Sequence, residues 1–237
     1  MSLVLDELLQ LLQLEKLEEN LFRGHSQDLG FGAVFGGQVL GQALSAASRT
    51  VPSDRGAHSL HGYFLRAGDA NRPIVYQVDP IRDGNSFTTR RVVAIQNGKA
   101  ICSVGASFHV SEEGFSHQFP APEEVPPPED VETELHWVQQ YRDRIPEHIR
   151  AKLLCDKPIE MRVVDPIDPF APTPRPPRKY VWLKAADTLP DDPAVHRYLL
   201  AYASDFHLMG TALFPHGRTF WDPAMQVASL DHALWFH

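Results

Sequence analysis

The chain has 237 residues, of which 43% are hydrophobic and 10% aromatic, so it is large enough to bury a sizeable core. Its formal net charge of -8 gives no broad positive field. This argues against a general nucleic-acid-binding protein, because such proteins neutralise phosphates with clustered Lys and Arg. No apolar run approaches the roughly 18 residues that cross a bilayer.

Two further features concern the cellular compartment. The two cysteines, Cys102 and Cys155, have no CxxC spacing, which indicates neither a disulfide framework nor a cysteine-rich zinc site. The apolar N-terminal run is interrupted by acidic residues and lacks the basic start and cleavage site of a secretion signal. The sequence therefore predicts a cytoplasmic protein with no nucleic-acid or membrane partner.

The first half of the chain predicts an α+β module. Leucines between positions 5 and 14 follow helical spacing, and residues 17–22 are typical of a turn into a strand. A glycine-led segment at 34–47 has small residues on one face and predicts a buried central helix. Four strands, the last three joined by short turns, are then predicted at 58–66, 74–81, 86–96 and 100–110. Such turns are too short for crossovers, so the expected sheet is antiparallel and wraps the helix.

The second half begins with a proline-rich linker. Proline-rich stretches flank a segment of helical spacing at 132–154, and a strand is predicted at 179–186. Asp192 and Pro193 are start signals for a second helix that reaches about Ser204, and 225–237 predicts a further strand. The helix-then-strand order thus occurs twice. We expect modules at 1–118 and 179–237, separated by the linker at 119–178.

Several motifs together resemble the type II acyl-CoA thioesterases (TesB-like family). They are LFRG at 21–24, FGGQVLGQAL at 35–44, HSLHGYFLRAGD at 58–69, RDGNSF at 82–87, AYASD at 201–205 and SLDHALWFH at 229–237. The resemblance implies a double hot-dog fold, in which two fused modules each wrap a helix in an antiparallel sheet, and assembly into homodimers or larger homo-oligomers. Against the family pattern the second module looks incomplete at its C-terminus. We therefore expect a truncated sequence rather than completion by another chain.

The resemblance also implies the chemistry. In the family a water molecule, polarised by an aspartate, a hydroxyl residue and a glutamine, attacks the thioester without a covalent enzyme intermediate or a cofactor. Asp205 matches the aspartate, and Ser229 matches the hydroxyl position, where many members have threonine. The family's glutamine falls beyond the position of His237. Judged by their residue types alone, both matching residues also suit local hydrogen bonds to the backbone.

Candidate substrate-binding residues come from the first module. Gly36 and Gly37 precede a helix, whose free N–H groups and positive dipole end suit an oxyanion or a phosphate, although close helix packing also requires glycine. Arg66 and Arg82 are candidates for the nucleotide end of CoA, with solvated strand arginines as the default alternative. The same two alternatives hold for Arg90 and Arg91, which point to opposite faces of their strand and so cannot act together.

Two histidines lie in the first predicted strand. His58 and His61 are three residues apart, so regular alternation places them on opposite faces, and no joint metal site is expected. No metal ion is predicted elsewhere. The motif makes His58 a candidate near the active site, with a hydrogen-bonded core histidine as the alternative.

Three alternatives to hydrolysis by activated water differ in the residues that they require. A serine-nucleophile hydrolase is excluded because the chain has no Gly-x-Ser-x-Gly elbow. An enoyl-CoA hydratase of similar fold is disfavoured, because the chain presents no matching Asp and His pair. A non-catalytic acyl-CoA binding or sensing module remains the alternative. The predicted function is hydrolysis of fatty acyl-CoA to free fatty acid and CoA.

Overall fold

The computed structural model describes residues 2–122 and 124–237. Its contacts group the chain into two compact units. The first unit combines the chain up to residue 113 with 187–205 and 230–237, and the second combines 114–186 with 206–229. The units therefore cut across the predicted borders at 119 and 179, and the division into two modules with a linker stays a prediction.

The helices and strands follow in chain order. The helices are α1 (Leu3–Leu12), α2 (Gly36–Ser48), α3 (Glu134–Gln140), α4 (Glu147–Leu154) and α5 (Pro193–Ala203). The strands are β1 (Glu15–Glu18), β2 (Leu21–Gly24), β3 (Arg55–Phe64), β4 (Ile74–Asp83), β5 (Phe87–Gln96), β6 (Lys99–Val110), β7 (Ile159–Val163), β8 (Val181–Ala185) and β9 (Asp231–Trp235).

The first unit contains a seven-stranded antiparallel sheet in the order β1-β2-β4-β5-β6-β3-β9. The four strands predicted in the first half are confirmed as β3 to β6. The turn between β5 and β6 places Asn97 and Gly98 at positive φ, the geometry that a tight hairpin requires and that Asn-Gly adopts readily. The prediction of a strand over 225–237 is too long, since only Asp231–Trp235 is extended.

Helix α2 is buried against this sheet along nearly its whole length, as predicted. Two buried glutamines interrupt its apolar surface, and both have hydrogen-bonding partners. The amide of Gln42 donates to the carbonyls of Leu11 and His25, while its oxygen accepts from the Tyr76 hydroxyl at 2.6 Å. Because a buried amide without partners is costly, this network fixes α2 relative to the end of α1 and to β4.

Helix α5 packs directly on α2. Its start signals are confirmed: Asp192 accepts from the backbone N–H of Ala194, and Pro193 occupies the first turn. The contact uses glycines of α2, since a Cβ on Gly37 would lie 2.2 Å from the carbonyl oxygen of Tyr202 and one on Gly41 would lie 3.0 Å from that of Tyr198. The two backbones approach closely because neither position has a side chain.

The prediction that His58 and His61 face opposite sides of the sheet is wrong. The pairing of β3 with β6 shifts between Ala57 and Ser59, which marks a β-bulge. The extra residue interrupts the alternation, so His58 contacts Ser107 on the outer face of β6, where His61 is paired with Gly105. Both histidines lie on the face of the sheet that points away from α2.

The adjacent arginines of β5 do point to opposite faces, as predicted, but Arg90 is not solvated. Its side chain is only 3% exposed and donates to both oxygens of Thr50 and to Asp83. Arg91 is exposed and pairs with Asp79. Arg90 is therefore a structural group that joins the end of α2 to the sheet.

The second unit contains α3, α4 and the antiparallel pair β7-β8. The helical spacing at 132–154 is confirmed, although residues 141–146, which include a short 3-10 helix at Arg142–Arg144, separate the two helices. Strand β7 was not predicted, because its five residues lie between two segments that had been assigned to the linker. Its alternating burial, with Ile159, Met161 and Val163 inside, is the signal that identifies it.

The two thiols are expected to differ in reactivity. Cys102 is 1% exposed, and burial raises the pKa of its thiol to about 12, whereas Cys155 is exposed. Because the thiolate is the reactive form, the folded protein is expected to titrate one thiol with Ellman's reagent at pH 8 and two after denaturation. Cys155→Ser should remove the fast reaction. Two rapidly reacting thiols in the folded protein would contradict the buried placement of Cys102.

Candidate active site

Asp205 lies directly after α5 and against the first turn of α2. Its side chain is only 10% exposed. The space that a Cβ on Gly36 would occupy is 2.6 Å from Oδ2 of Asp205 and 2.9 Å from the ring of Phe64. The structure thus brings together two of the residues that the sequence selected, Asp205 and Gly36, and the missing side chain of Gly36 makes room for the carboxylate.

The start of α2 favours a negative charge at this place. Its N-cap residue is Phe35, whose side chain cannot accept a hydrogen bond from the first turn. A helix of 13 residues carries a partial positive charge at its N-terminus, where an anion is stabilised. The carboxyl group of Asp205 lies beside this end of the helix.

His232 is a site residue that the sequence analysis missed. It lies in β9 opposite Gly62 of β3, and its side chain is 4% exposed. Its Nε2 is 2.9 Å from the hydroxyl of Ser204, and its Nδ1 is 3.5 Å from Oδ1 of Asp205. The alternation of β9, in which Asp231 is exposed and His232 buried, was the available signal.

Gly37 has a different role from Gly36. The carbonyl of Tyr202 and the ring of Phe35 occupy the space around it, so it serves the contact between α2 and α5. The packing alternative holds for Gly37, while Gly36 borders the carboxylate. A role of either glycine in substrate binding stays a prediction.

Ser229 belongs to the second unit. Its hydroxyl is partly buried and donates to Sδ of Met209, at a distance of 3.6 Å. A thioether sulfur is a weak acceptor, so this hydroxyl can exchange its partner for a water molecule at small cost. Its place beside Asp205 in one active site is a prediction that follows from the family motif.

His58 lies away from Asp205, on the outer face of the sheet. Its Nε2 is 2.7 Å from the Ser107 hydroxyl, and its ring contacts those of Phe87 and His109. Burial, and then the neighbouring His109, lower the pKa of His58. The alternative prediction for His58 was a hydrogen-bonded core histidine. His58 is hydrogen-bonded, but it lies on the outer face of the sheet and not in the core.

The two candidate arginines are exposed. Arg66 donates to the carbonyl of Ala100, and the carbonyl of Arg82 accepts from the buried Arg90. Both lie outside the cluster of Asp205 and His232. Their contribution to binding the nucleotide end of CoA stays a prediction.

Within residues 2–122 and 124–237, no three His, Cys, Asp or Glu side chains are grouped so that they would hold a metal ion. Among the helices of that same part of the chain, none is both long and apolar enough to cross a membrane.

Comparison with known families identifies the fold and the class. The family described as acyl-CoA thioesterase N-terminal domain matches residues 25–109, and the family described as acyl-CoA thioesterase matches residues 149–237. The architecture is the hot-dog fold: a solved hot-dog protein from Alicyclobacillus acidocaldarius, 19% identical, superposes with a TM-score of 0.73 over the whole chain and 79% of its own length. The chain belongs to the acyl-CoA thioesterase family.

Individual relatives agree with this assignment. Acyl-CoA thioesterase 2 of Haemophilus influenzae is 46% identical over 237 residues, which cover 100% of this chain and 82% of that protein. Human acyl-coenzyme A thioesterase 8 is 40% identical, over 95% of this chain and 72% of that protein. The structure of acyl-CoA thioesterase II TesB2 from Mycobacterium marinum is 42% identical with a TM-score of 0.71, and the match covers 96% of this chain and 78% of TesB2. The similarity to TesB2 confirms the TesB-like double hot-dog type.

Proposed function

We propose that this protein hydrolyses fatty acyl-CoA to free fatty acid and CoA, with Asp205 as the general base and Ser229 as a group that positions the water. The observation that carries the proposal is the placement of Asp205, which is nearly buried beside the positive end of α2. The family motif ending in Asp205 and the relatives named as acyl-CoA thioesterases support it.

In the proposed reaction, Asp205 takes a proton from a water molecule while the water oxygen forms a bond to the thioester carbon. The carbonyl becomes a tetrahedral oxyanion. It collapses with cleavage of the C–S bond, and the leaving CoA thiolate takes up the proton from Asp205, which restores the carboxylate. No covalent bond to the enzyme forms, and no metal or cofactor is required.

The start of α2 has two roles in this scheme. Its partial positive charge lies beside the carboxyl group of Asp205, the proposed proton acceptor. The N–H groups of its first turn are also candidate donors for the oxyanion. Arg66 and Arg82 remain candidates for contacts with the nucleotide. We further propose a cytoplasmic enzyme that works as a homodimer or larger homo-oligomer.

The test is release of free CoA from palmitoyl-CoA, followed with Ellman's reagent on the Cys155→Ser variant so that no fast protein thiol contributes. Steady release over many turnovers, proportional to enzyme concentration, is the expected result. The alternative, a non-catalytic acyl-CoA sensor, predicts saturable binding of palmitoyl-CoA by calorimetry with no thiol released. That combination would refute the proposed function.

A further inference from the structure

A short polar chain connects α5 to β9 behind the candidate base. The hydroxyl of Ser204 lies 3.0 Å from the carbonyl oxygen of Ala201, within the last turn of α5. The same hydroxyl is 2.9 Å from Nε2 of His232, whose Nδ1 faces Oδ1 of Asp205 at 3.5 Å. A buried imidazole therefore faces the carboxylate of Asp205.

The hydroxyl hydrogen of Ser204 can reach either the carbonyl of Ala201 or Nε2 of His232. When the hydroxyl turns to Nε2, the neutral ring carries its proton on Nδ1 and can donate it to the carboxylate of Asp205. This tautomer gives both ring nitrogens a partner without a second proton on the ring.

We propose that His232 is a positioning residue, which uses Nδ1–H to hold the Asp205 carboxylate in the orientation that accepts a proton from water. The inference rests on the proposed function, since it assigns His232 a role only through Asp205. It resembles the general arrangement in which a catalytic base is oriented by a third group.

Burial strengthens the contact between His232 and Asp205. The side chains of His232 and Asp205 are 4% and 10% exposed, so water screens their interaction weakly. A second histidine–aspartate contact of β9, between His61 and Asp231, is exposed on the opposite face of the strand. From α5 and its end, the groups that face the imidazole are the uncharged Ser204 and the carboxylate of Asp205.

Two amide substitutions of His232 test its contact with Asp205 and its contact with Ser204 separately. In His232→Asn the amide nitrogen replaces Nδ1 and keeps a donor for Asp205, whereas in His232→Gln it replaces Nε2 and keeps only the bond to Ser204. We expect His232→Gln to lower kcat for palmitoyl-CoA about 10-fold or more with little change in KM, and His232→Asn to stay within about 3-fold of wild type. His61→Asn, in an exposed histidine, is the matched control and should stay near wild type.

If the role of His232 is purely structural, the two variants are expected to rank in the opposite order of kcat. If His232 only supports Ser204 and the end of α5, His232→Gln keeps wild-type turnover and His232→Asn loses it, which would overturn the proposal. Should His232→Gln fail to fold, Ser204→Ala replaces it: the ring stays but loses its anchor, and kcat is expected to fall about 3-fold or more. Unchanged kcat in a folded Ser204→Ala protein would then overturn the proposal.

A double-mutant cycle with Asp205→Asn distinguishes this inference from the proposed function. If His232 acts through Asp205, His232→Gln has no further effect on turnover in the Asp205→Asn background. Additive losses would overturn the inference. If Asp205→Asn alone retains full turnover, the proposed role of Asp205 as general base fails, and the inference about His232 fails with it. If Asp205→Asn is inactive while His232→Gln is fully active, only the role of His232 fails.

Discussion

Replacing Asp205 by Asn is expected to lower kcat for palmitoyl-CoA by about 100-fold or more, because the amide cannot take the proton of the attacking water. The substitution preserves the size of the side chain, which fits the confined space beside Gly36. KM is expected to change little, since the carboxylate acts on water and not on the acyl chain. Steady-state kinetics of the two proteins at neutral pH measure both quantities.

The matched control for this substitution is Asp79→Asn. It removes the same charge from an exposed carboxylate of β4 that pairs with Arg91. Exposed ion pairs contribute little to stability, so Asp79→Asn should keep wild-type kcat. Equal rates for Asp205→Asn and wild type would show that another group takes the proton.

Replacing Gly37 by Ala is expected to destabilise the first unit severely. The added Cβ would meet the backbone carbonyl of Tyr202 at 2.2 Å, and a backbone atom cannot rotate away as a flexible side chain can. Helices α2 and α5 must then separate, at a cost of about 3 kcal/mol or more. For a chain of this size that corresponds to a fall in Tm of roughly 6–12 °C, measurable by circular dichroism.

Gly105→Ala is the control for the glycine substitution. A Cβ at Gly105 would find its nearest neighbour, the carbonyl of His61, at 4.0 Å, which is an ordinary contact. Alanine should therefore fit in β6 with a change in Tm of at most about 2 °C. If the Gly37→Ala and Gly105→Ala proteins have the same Tm, helices α2 and α5 are not in close backbone contact.

Local patterns were sufficient to predict most elements of the first unit. The strands β3 to β6 were found because their apolar alternation and turn residues lie within each segment. The start of α5 was found for the same reason, since Asp192 caps the residue two positions after it. Such features depend on neighbours in the sequence and need no knowledge of the partner strand.

Features that depend on distant partners were not predicted. The bulge in β3 arises from the register with β6, and it places His58 and His61 on one face. The burial of Arg90 depends on Thr50, forty residues away. Periodicity within one strand contains no information about either contact, and this is why regular alternation and default solvation were wrong here.

In the candidate site, too, the contacts between distant residues could not be predicted from the local sequence. Asp205 and Ser229 were selected through the resemblance of their motifs to a family, and nothing in their local spacing indicates a catalytic role. His232 lies in the same motif as Ser229, but its position beside Asp205 follows from the pairing of β9 with β3. The proposed role of His232 therefore follows from its contact with Asp205 in the folded protein and not from the local sequence.

The place of β9 at the edge of the sheet has a consequence for synthesis on the ribosome. Strand β3 pairs with β6 on one side and with β9 on the other, and β9 is made more than a hundred residues after β6. At usual elongation rates that delay is on the order of ten seconds. During this interval the nascent sheet has an open edge beside β3, where chaperones or other nascent chains are able to bind.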